Sequence, residues 1–425
     1  MRIAWFTTYS GRSGIAGFSR DVVEALAADH DVELWVPEGR GPVLDPVAPL
    51  VRFTRGPHAL MRLHRADAVV YNLGNELHRH RAVAAVAAAR PGVVVLHDLV
   101  MRHFHGGLVA DRTWKRERFL RAVALHDGED AARLVAARRG RGGDLWSAVD
   151  TWEAAPMFGE AIAGAAGVVV HSSAQEERVR AAWAGPLARL DLPARPRAWT
   201  PPPAARDRLA LVGIGGVTAN RRIEDVVAVL DADRELAARV RYVVAGEHPD
   251  PAYARVVRGL VDGAGLGGSV ELRGYVAPAE LDALMADADA FVNLRHPSTE
   301  GASASLMEQT TTGRPVLVYD GGSFRDVPAG AAVKVAPGDR EGLAAALREL
   351  VADPALRARV GAAGAAWAAR RTPRAYADAL VAFLATVGEQ APLTALCDRV
   401  GRALADLDDD GSAAAAAQAI ETLLP

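Results

Sequence analysis

The sequence predicts an α/β protein built from two doubly wound parallel sheets in tandem. Three observations predict it. Short β-branched runs alternate with segments of helical period from the first residue. The alternation restarts after a proline-rich stretch. A chain of 425 residues is also too long for one core, since domains run to about 150 residues.

Residues 3–7 read as the first strand, and Phe18, Val22, Val23 and Leu26 form one face of the helix that follows. Residues 32–36, 69–71, 93–96 and 168–170 continue the series. Each ends in polar residues, where a doubly wound sheet presents its ligand edge. Residues 1–195 are therefore expected to form an N-terminal Rossmann-like domain. Between Asp191 and Arg208 the text DLPARPRAWTPPPAARDR concentrates proline, which fixes φ and lacks a donor, so residues 196–208 are expected to be a hinge. Strands near 209–212, 242–245, 270–273, 290–294, 316–319 and 332–335 then give a second Rossmann-like domain over 209–372. Residues 373–425 read as C-terminal helices, the first crossing back to the N-terminal domain, with two short ones around LDDDGS.

Half the residues are hydrophobic and 24% are charged, a balance that excludes long disorder or a fibrous class. Basic minus acidic side chains gives 49 − 52 = −3, so no overall positive field draws in nucleic acid, and no nucleic-acid partner is expected. A single cysteine, Cys397, suits a reducing compartment. The opening MRIAWFTTY lacks the basic start and cleavage site of a signal peptide. The most apolar later stretch, 82–101, is interrupted by Arg90, Pro91, His97 and Asp98, so no transmembrane segment is expected. A cytoplasmic location follows as the expectation.

Two such domains in tandem would turn the carboxyl ends of their sheets toward a shared cleft, the expected place for a ligand. A dinucleotide fingerprint is not met: Gly213, Gly215 and Gly216 follow a strand, but Thr218 stands where G-x-G-x-x-G requires glycine. In the first domain SGRSGIAGFSR places Gly11, Gly14 and Gly17 at a helix start, where backbone N–H groups can approach an anion. An ordinary tight turn is the plain alternative. The richest segment is NLRHPSTEGASASLMEQTTTGRPVLVYDGG, from Asn293 to Gly322. A strand is expected to end at Leu294, a loop to carry Glu300 and Gly301, and a helix to begin near Ala302 or Ser303 and contain Glu308. The start of that helix can hold a phosphate. Eight helical residues span about 12 Å, so Glu300 and Glu308 could hold two hydroxylated ends of one elongated ligand. Alternatively, Glu300 is a first-turn charge and Glu308 a solvated helix residue.

These residues resemble the retaining GT-B glycosyltransferases of the family 4 type. The E-x7-E arrangement from Glu300 to Glu308, followed by TTGRPVLVYDGGSFRDVP, is similar to that family's donor-site segment, and NLRHP to one bacterial branch of it. VTANRRIEDVV, from Val217 to Val227, is similar to its N-K-R stretch. The GIA turn at Gly14 to Ala16, VVVLHDLVMRHF and VVVHS complete the set in the family's order. The resemblance implies a GT-B fold, with acceptor on the N-terminal side and nucleotide-sugar donor on the other. It implies transfer of a sugar from a nucleoside diphosphate to a small-molecule, glycan or lipid-linked acceptor, with no cofactor and no metal.

Residue by residue, the resemblance implies that Glu300 contacts donor-sugar hydroxyls and Glu308 holds the ribose diol. Arg221, in place of the family's lysine, would neutralise the pyrophosphate. Gly14 and Ile15 would approach phosphate through backbone N–H groups, as would Gly301, Ala302 and Ser303 at the other helix start. His97 would hydrogen-bond the donor sugar, and Tyr275 and Val276 would border the base. A buried structural histidine is the plain alternative for His97, and an exposed helix-start cation for Arg221. One departure stands out: many relatives carry arginine directly after the glycine of the first C-domain strand, where this chain has Ile214 after Gly213. Arg222 or Arg295 is the expected substitute.

Other constellations carry less. Asp406, Asp408, Asp410 and Gly411 imitate an EF-hand opening, but Ala417 stands where a bidentate glutamate is needed. Asp231–Asp233 and Asp287–Asp289 read as helix-end charges. Arg112, Lys115, Arg116, Arg118 and Arg121, with Trp114 and Phe119, make a basic helix, either a solvated face or a weak peripheral membrane contact. The rival functions are a sugar-nucleotide-binding accessory protein that has lost transfer, and a GT-B phosphorylase or epimerase.

Overall fold

The computed structural model describes residues 1–10, 13–39, 44–54, 61–138, 146, 148–199 and 206–388. By its contacts the chain forms two compact units. The first comprises Met1–Val170, Glu176–Leu190 and residues 377–388; the second comprises His171–Gln175 and Asp191–Tyr376.

The first unit is built on seven parallel strands: β1 Arg2–Phe6, β2 Asp31–Pro37, β3 Leu50–Phe53, β4 Ala68–Leu73, β5 Val93–Leu96, β6 Gly167–Val170 and β7 Leu187–Arg189. Their order is β3-β2-β1-β4-β5-β6-β7. Ile3 pairs with Val32 on one side and Ala68 on the other, so the chain leaves β1 in one direction and later returns to its opposite flank. That reversal makes a crevice beyond the carboxyl ends of β1 and β4. Residues 3–6 of β1, and strands β5 and β6, are continuous apolar runs because helices cover both faces. Phe6 stacks on Trp35 with centroids 5.0 Å apart and meets Phe53 edge-on at 5.0 Å, filling one face.

The second unit repeats the plan with β8 Leu209–Ile214, β9 Val240–Ala245, β10 Val270–Gly274, β11 Ala290–Val292, β12 Val316–Tyr319 and β13 Val333–Val335. All pair in parallel, in the order β10-β9-β8-β11-β12-β13, and its reversal lies between β8 and β11. Two Rossmann-like parallel-sheet domains are thus observed. The helix over 373–388 packs on the first sheet: a Cβ at Gly167 would stand 2.7 Å from Val387 and 3.1 Å from Phe383.

The sequence reading omits β3 and β7. Both are outermost strands of three or four residues, half-exposed, so neither carries a continuous apolar run. The basic stretch divides between a loop and the helix Arg116–Asp127. Trp114 and Phe119 turn into the core while Lys115, Arg116, Arg118 and Arg121 are exposed, as both a solvated face and a peripheral contact require. Cys397, the LDDDGS stretch and residues 200–205 of the expected hinge lie outside the described residues. So does Gly11. No helix among the described residues is long and apolar enough to cross a membrane.

Candidate functional site

In the second unit, β8 delivers Gly213 to Gly216 to the sheet's reversal point. Gly215 has φ +119°, a conformation that disfavours any side chain, and a Cβ there would lie 2.3 Å from the Arg221 guanidinium. Only glycine lets that guanidinium lie against the backbone. Arg221 closes the short turn Ala219–Arg221, and its Nη1 donates to the Ile214 carbonyl at 2.6 Å. Gly246 N donates to Gly274 O at 2.7 Å, bringing the turn that carries Tyr275 and Val276 beside the Gly215 loop. Tyr275 is an exposed aromatic, and Val276 is half-buried.

From the other flank, β11 leads through Asn293 and Leu294 to Arg295. The Arg295 side chain is 2% exposed; its Nη1 donates to the Leu294 carbonyl at 2.8 Å, while Nε and Nη2 have no hydrogen-bond partner. Nε stands 3.5 Å from Glu300 Oε1, an ion pair too loose to count as a good hydrogen bond. Arg221, Arg295 and Tyr242 line one small cavity with Gly213, Gly215 and Leu294. Burial, reinforced by the Arg295 charge, draws the Arg221 pKa down to about 9, so it remains protonated at neutral pH. Burial likewise lowers Arg295, opposed by Glu300. Burial raises the Tyr242 phenol, leaving it neutral.

The buried Arg295 guanidinium and the half-buried Arg221 guanidinium therefore lie in the field of one carboxylate, Glu300. A surplus positive charge in low dielectric is costly unless an anion completes it. The site is chemically suited to a phosphate or pyrophosphate oxygen.

Arg222, the other expected substitute, is committed elsewhere. It lies in the left-handed region at φ 52°, 3.0 Å from Glu224 and 2.9 Å from buried Asp225. Asp225 also accepts from Tyr319 Oη at 2.6 Å, so Arg222 belongs to a polar network beneath the helix Ile223–Ala232. The expectation for the missing phosphate charge thus narrows to Arg295.

The helix expected near Ala302 or Ser303 runs Ala304–Thr311, with Ser303 as its N-cap, accepting from Leu306 N at 3.2 Å. Asn293 Nδ2 donates to Ser305 Oγ at 3.1 Å and to Gln309 Oε1 at 2.8 Å, fixing the helix to the end of β11. Gly301 is buried, and a Cβ there would meet the Gln175 amide at 2.3 Å. Ala302 is half-buried. Glu300 lies in the loop before the cap with its side chain 30% exposed. Glu308 is an exposed residue of the helix whose charge acts on Arg197.

In the first unit, Gly14 and Ile15 open the helix Gly14–Leu26 after Ser13. A Cβ at Gly74 would lie 2.7 Å from Ile15 Cδ1, 3.0 Å from His80 Nε2 and 3.1 Å from Asp98 Oδ2, so this glycine lets the helix start and the β4 and β5 ends converge. His97 follows β5, and its Nε2 lies 3.0 Å from Asn72 Oδ1. Asn72 Nδ2 already donates to the Phe6 carbonyl at 3.0 Å, so Oδ1 is the accepting atom and His97 carries its proton on Nε2. Tyr242 and Asn72 escaped the sequence reading because each sits inside a strand without a local motif, and Asn293, though it opens the NLRHP stretch, was given no role.

Residues 209–353 match the family described as Glycosyl transferases group 1, so the second unit carries a domain of that kind. Among solved structures, Anabaena Alr3699/HepE in complex with UDP and glucose is 14% identical, with a TM-score of 0.61 over 91% of this chain and 100% of that one. Sucrose-phosphate synthase from Thermosynechococcus elongatus is 17% identical, with a TM-score of 0.61 over 92% and 98%. An E. coli trehalose-6-phosphate structure bound with UDP-2-fluoro glucose is 11% identical, with a TM-score of 0.57 over 90% and 99%. These likenesses establish the GT-B architecture. No curated protein matches the chain by sequence.

Proposed function

We propose that the protein is a retaining glycosyltransferase that moves a sugar from a nucleoside-diphosphate sugar to an acceptor. The observation that carries this reading is the pair of arginines, half-buried Arg221 and buried Arg295, in the field of the Glu300 carboxylate at the reversal point of the second sheet. The group 1 domain supports it, and neighbours holding UDP, glucose or UDP-2-fluoro glucose make a UDP-sugar the first donor to test.

On this reading the guanidinium groups receive the charge that develops on the departing pyrophosphate, as fixed donors already in place. The backbone of Gly301, Ala302 and Ser303 at the helix start adds to that field. Glu300 holds the sugar hydroxyls, Glu308 the ribose diol, and Tyr275 and Val276 the base. In the first unit Gly14 and Ile15 are assigned to phosphate and His97 to the sugar. Retention follows from front-side attack. The acceptor oxygen forms the new bond to the anomeric carbon as the bond to pyrophosphate breaks, and a donor phosphate oxygen takes the acceptor's proton. A trapped covalent sugar on the enzyme would overturn that step.

A thermal-shift screen against UDP-, GDP- and dTDP-sugars tests the donor assignment, because a ligand stabilises by RT ln(1 + [L]/Kd). Stabilisation by one sugar nucleotide, with slow hydrolysis or transfer, is expected. Binding without turnover identifies the accessory protein, release of a free sugar phosphate under inorganic phosphate identifies the phosphorylase, and an epimerised donor identifies the epimerase. No response to any of the three donors would sink the assignment.

A further inference from the structure

The first unit holds a second cavity, of about 530 Å³, whose chemistry differs from that of the arginine site. Its floor is apolar and buried: Leu73, Val94, Met101 and Phe104. Its most deeply buried polar side chain is His105, 2% exposed, whose imidazole nitrogens are enclosed by protein. The Met157 backbone is a polar group that acts on the ring. Burial draws the His105 pKa down to about 4, so the ring is neutral at pH 7 and offers one donor and one acceptor.

The polar groups gather at one side. His105 stacks on Trp114 with centroids 5.2 Å apart, and the guanidinium of exposed Arg118 lies 4.5 Å over the same indole. The acid nearest to hand, Glu160, hydrogen-bonds His126 at 3.1 Å, and Arg81 is tied to Asp111 and Thr113. An apolar chamber with a cationic lip has the composition of a small-molecule site: mostly apolar walls and a few placed polar groups.

We propose that this cavity binds a single-chain amphiphile with an acidic head, its chain on the floor between Leu73 and Phe104 and its carboxylate or phosphate on Arg118. Size selects the ligand class. A dry cavity of about 150 Å³ accommodates benzene, so by proportion this one holds about twenty non-hydrogen atoms, the size of a long acyl chain. Charge selects the head, since Arg118 is the cation at the lip and Glu160 is already engaged by His126. The shared chemistry fits both a free fatty acid and a lysolipid. The proposal does not depend on the donor reading.

Titration calorimetry on the full chain tests it with palmitate, 1-palmitoyl lysophosphatidate and the cation hexadecyltrimethylammonium, each below its micelle concentration. One-to-one micromolar binding of at least one acidic probe is expected, with the cation at least tenfold weaker. Tighter palmitate identifies a fatty-acid site, and tighter lysophosphatidate a lysolipid site. Ala84→Phe and Ala161→Phe fill the cavity from two different helices and should abolish binding. Arg118→Gln should weaken the acidic probes about fivefold to tenfold and leave the cation unchanged. Melting temperature reports whether each variant is folded, and having two filling variants guards against the failure of one. No binding of either acidic probe, equal binding of the cation, or full binding in a folded filling variant would overturn the proposal.

Discussion

Replacing Arg295 with methionine should weaken donor binding while leaving the unliganded protein as stable as before, or more so. The two effects come from the same atoms. In the free protein Arg295 buries Nη2 without a hydrogen-bond partner, at a cost of about 1–3 kcal/mol, while Nε has only its loose contact with Glu300. Methionine keeps much of the volume and removes that cost. It gives up one hydrogen bond, to the Leu294 carbonyl, worth about 1 kcal/mol. It also leaves Glu300 to balance Arg221 alone, so the surplus charge disappears. The unfolding free energy should therefore be unchanged or higher by up to about 2 kcal/mol. With a pyrophosphate bound, the same nitrogens would make charge-assisted contacts, and their loss should cost about 1.5–3 kcal/mol, roughly 10- to 150-fold in affinity. Calorimetric titration with the donor found in the screen, paired with urea unfolding of the free protein, measures both signs. Lower free-protein stability with donor affinity intact would show that Arg295 is a structural cation and refute the reasoning.

Other expectations follow from the same geometry. Arg222→Ala should leave donor affinity within about twofold and cost about 1–3 kcal/mol of stability, because it strips buried Asp225 of a partner that Tyr319 only partly replaces; urea unfolding and titration check this. Gly215→Ala should reduce donor affinity at least tenfold, since a Cβ 2.3 Å from the guanidinium must displace Arg221; normal affinity would remove that contact from the site. In the first unit, His105 and His80 stay neutral when folded down to about pH 4, whereas unfolded histidine protonates near 6.5. Between those values the unfolded chain binds more protons, so both residues make stability fall on acidification. Asp127, raised by burial to about 6, acts with the opposite sign: between pH 6 and 3.8 the folded state holds the extra proton, and stability gains on acidification. Unfolding followed from pH 7 to 4 should therefore lose stability more steeply in Asp127→Asn and less steeply in His105→Phe.

The strand alternation was legible because a parallel sheet covered on both faces forces continuous β-branched runs, and β5 and β6, both valine-rich, are unmistakable. The edge strands β3 and β7 were not, because a strand with one neighbour is half-solvated and loses that signature. The same logic separates the site residues. Glu300 and Arg221 were legible from loops of recognisable spacing beside strand ends, and the structure sets both of them around Arg295. What the spacing could not decide was which second arginine stands there, because Arg222 and Arg295 both lie within two residues of landmarks. Backbone conformation decides it. Arg222 enters the left-handed region just before the helix Ile223–Ala232, and its side chain meets the acids of that helix's first turn. Arg295 continues outward from β11, at the reversal point itself, and Glu300 is the acid it pairs with among the described residues. A chain that lacks arginine after Gly213 can supply the same charge from the neighbouring strand, because β8 and β11 are hydrogen-bonded partners whose ends open on one crevice. The position of the charge in space, and not its position in the motif, is what a phosphate would read.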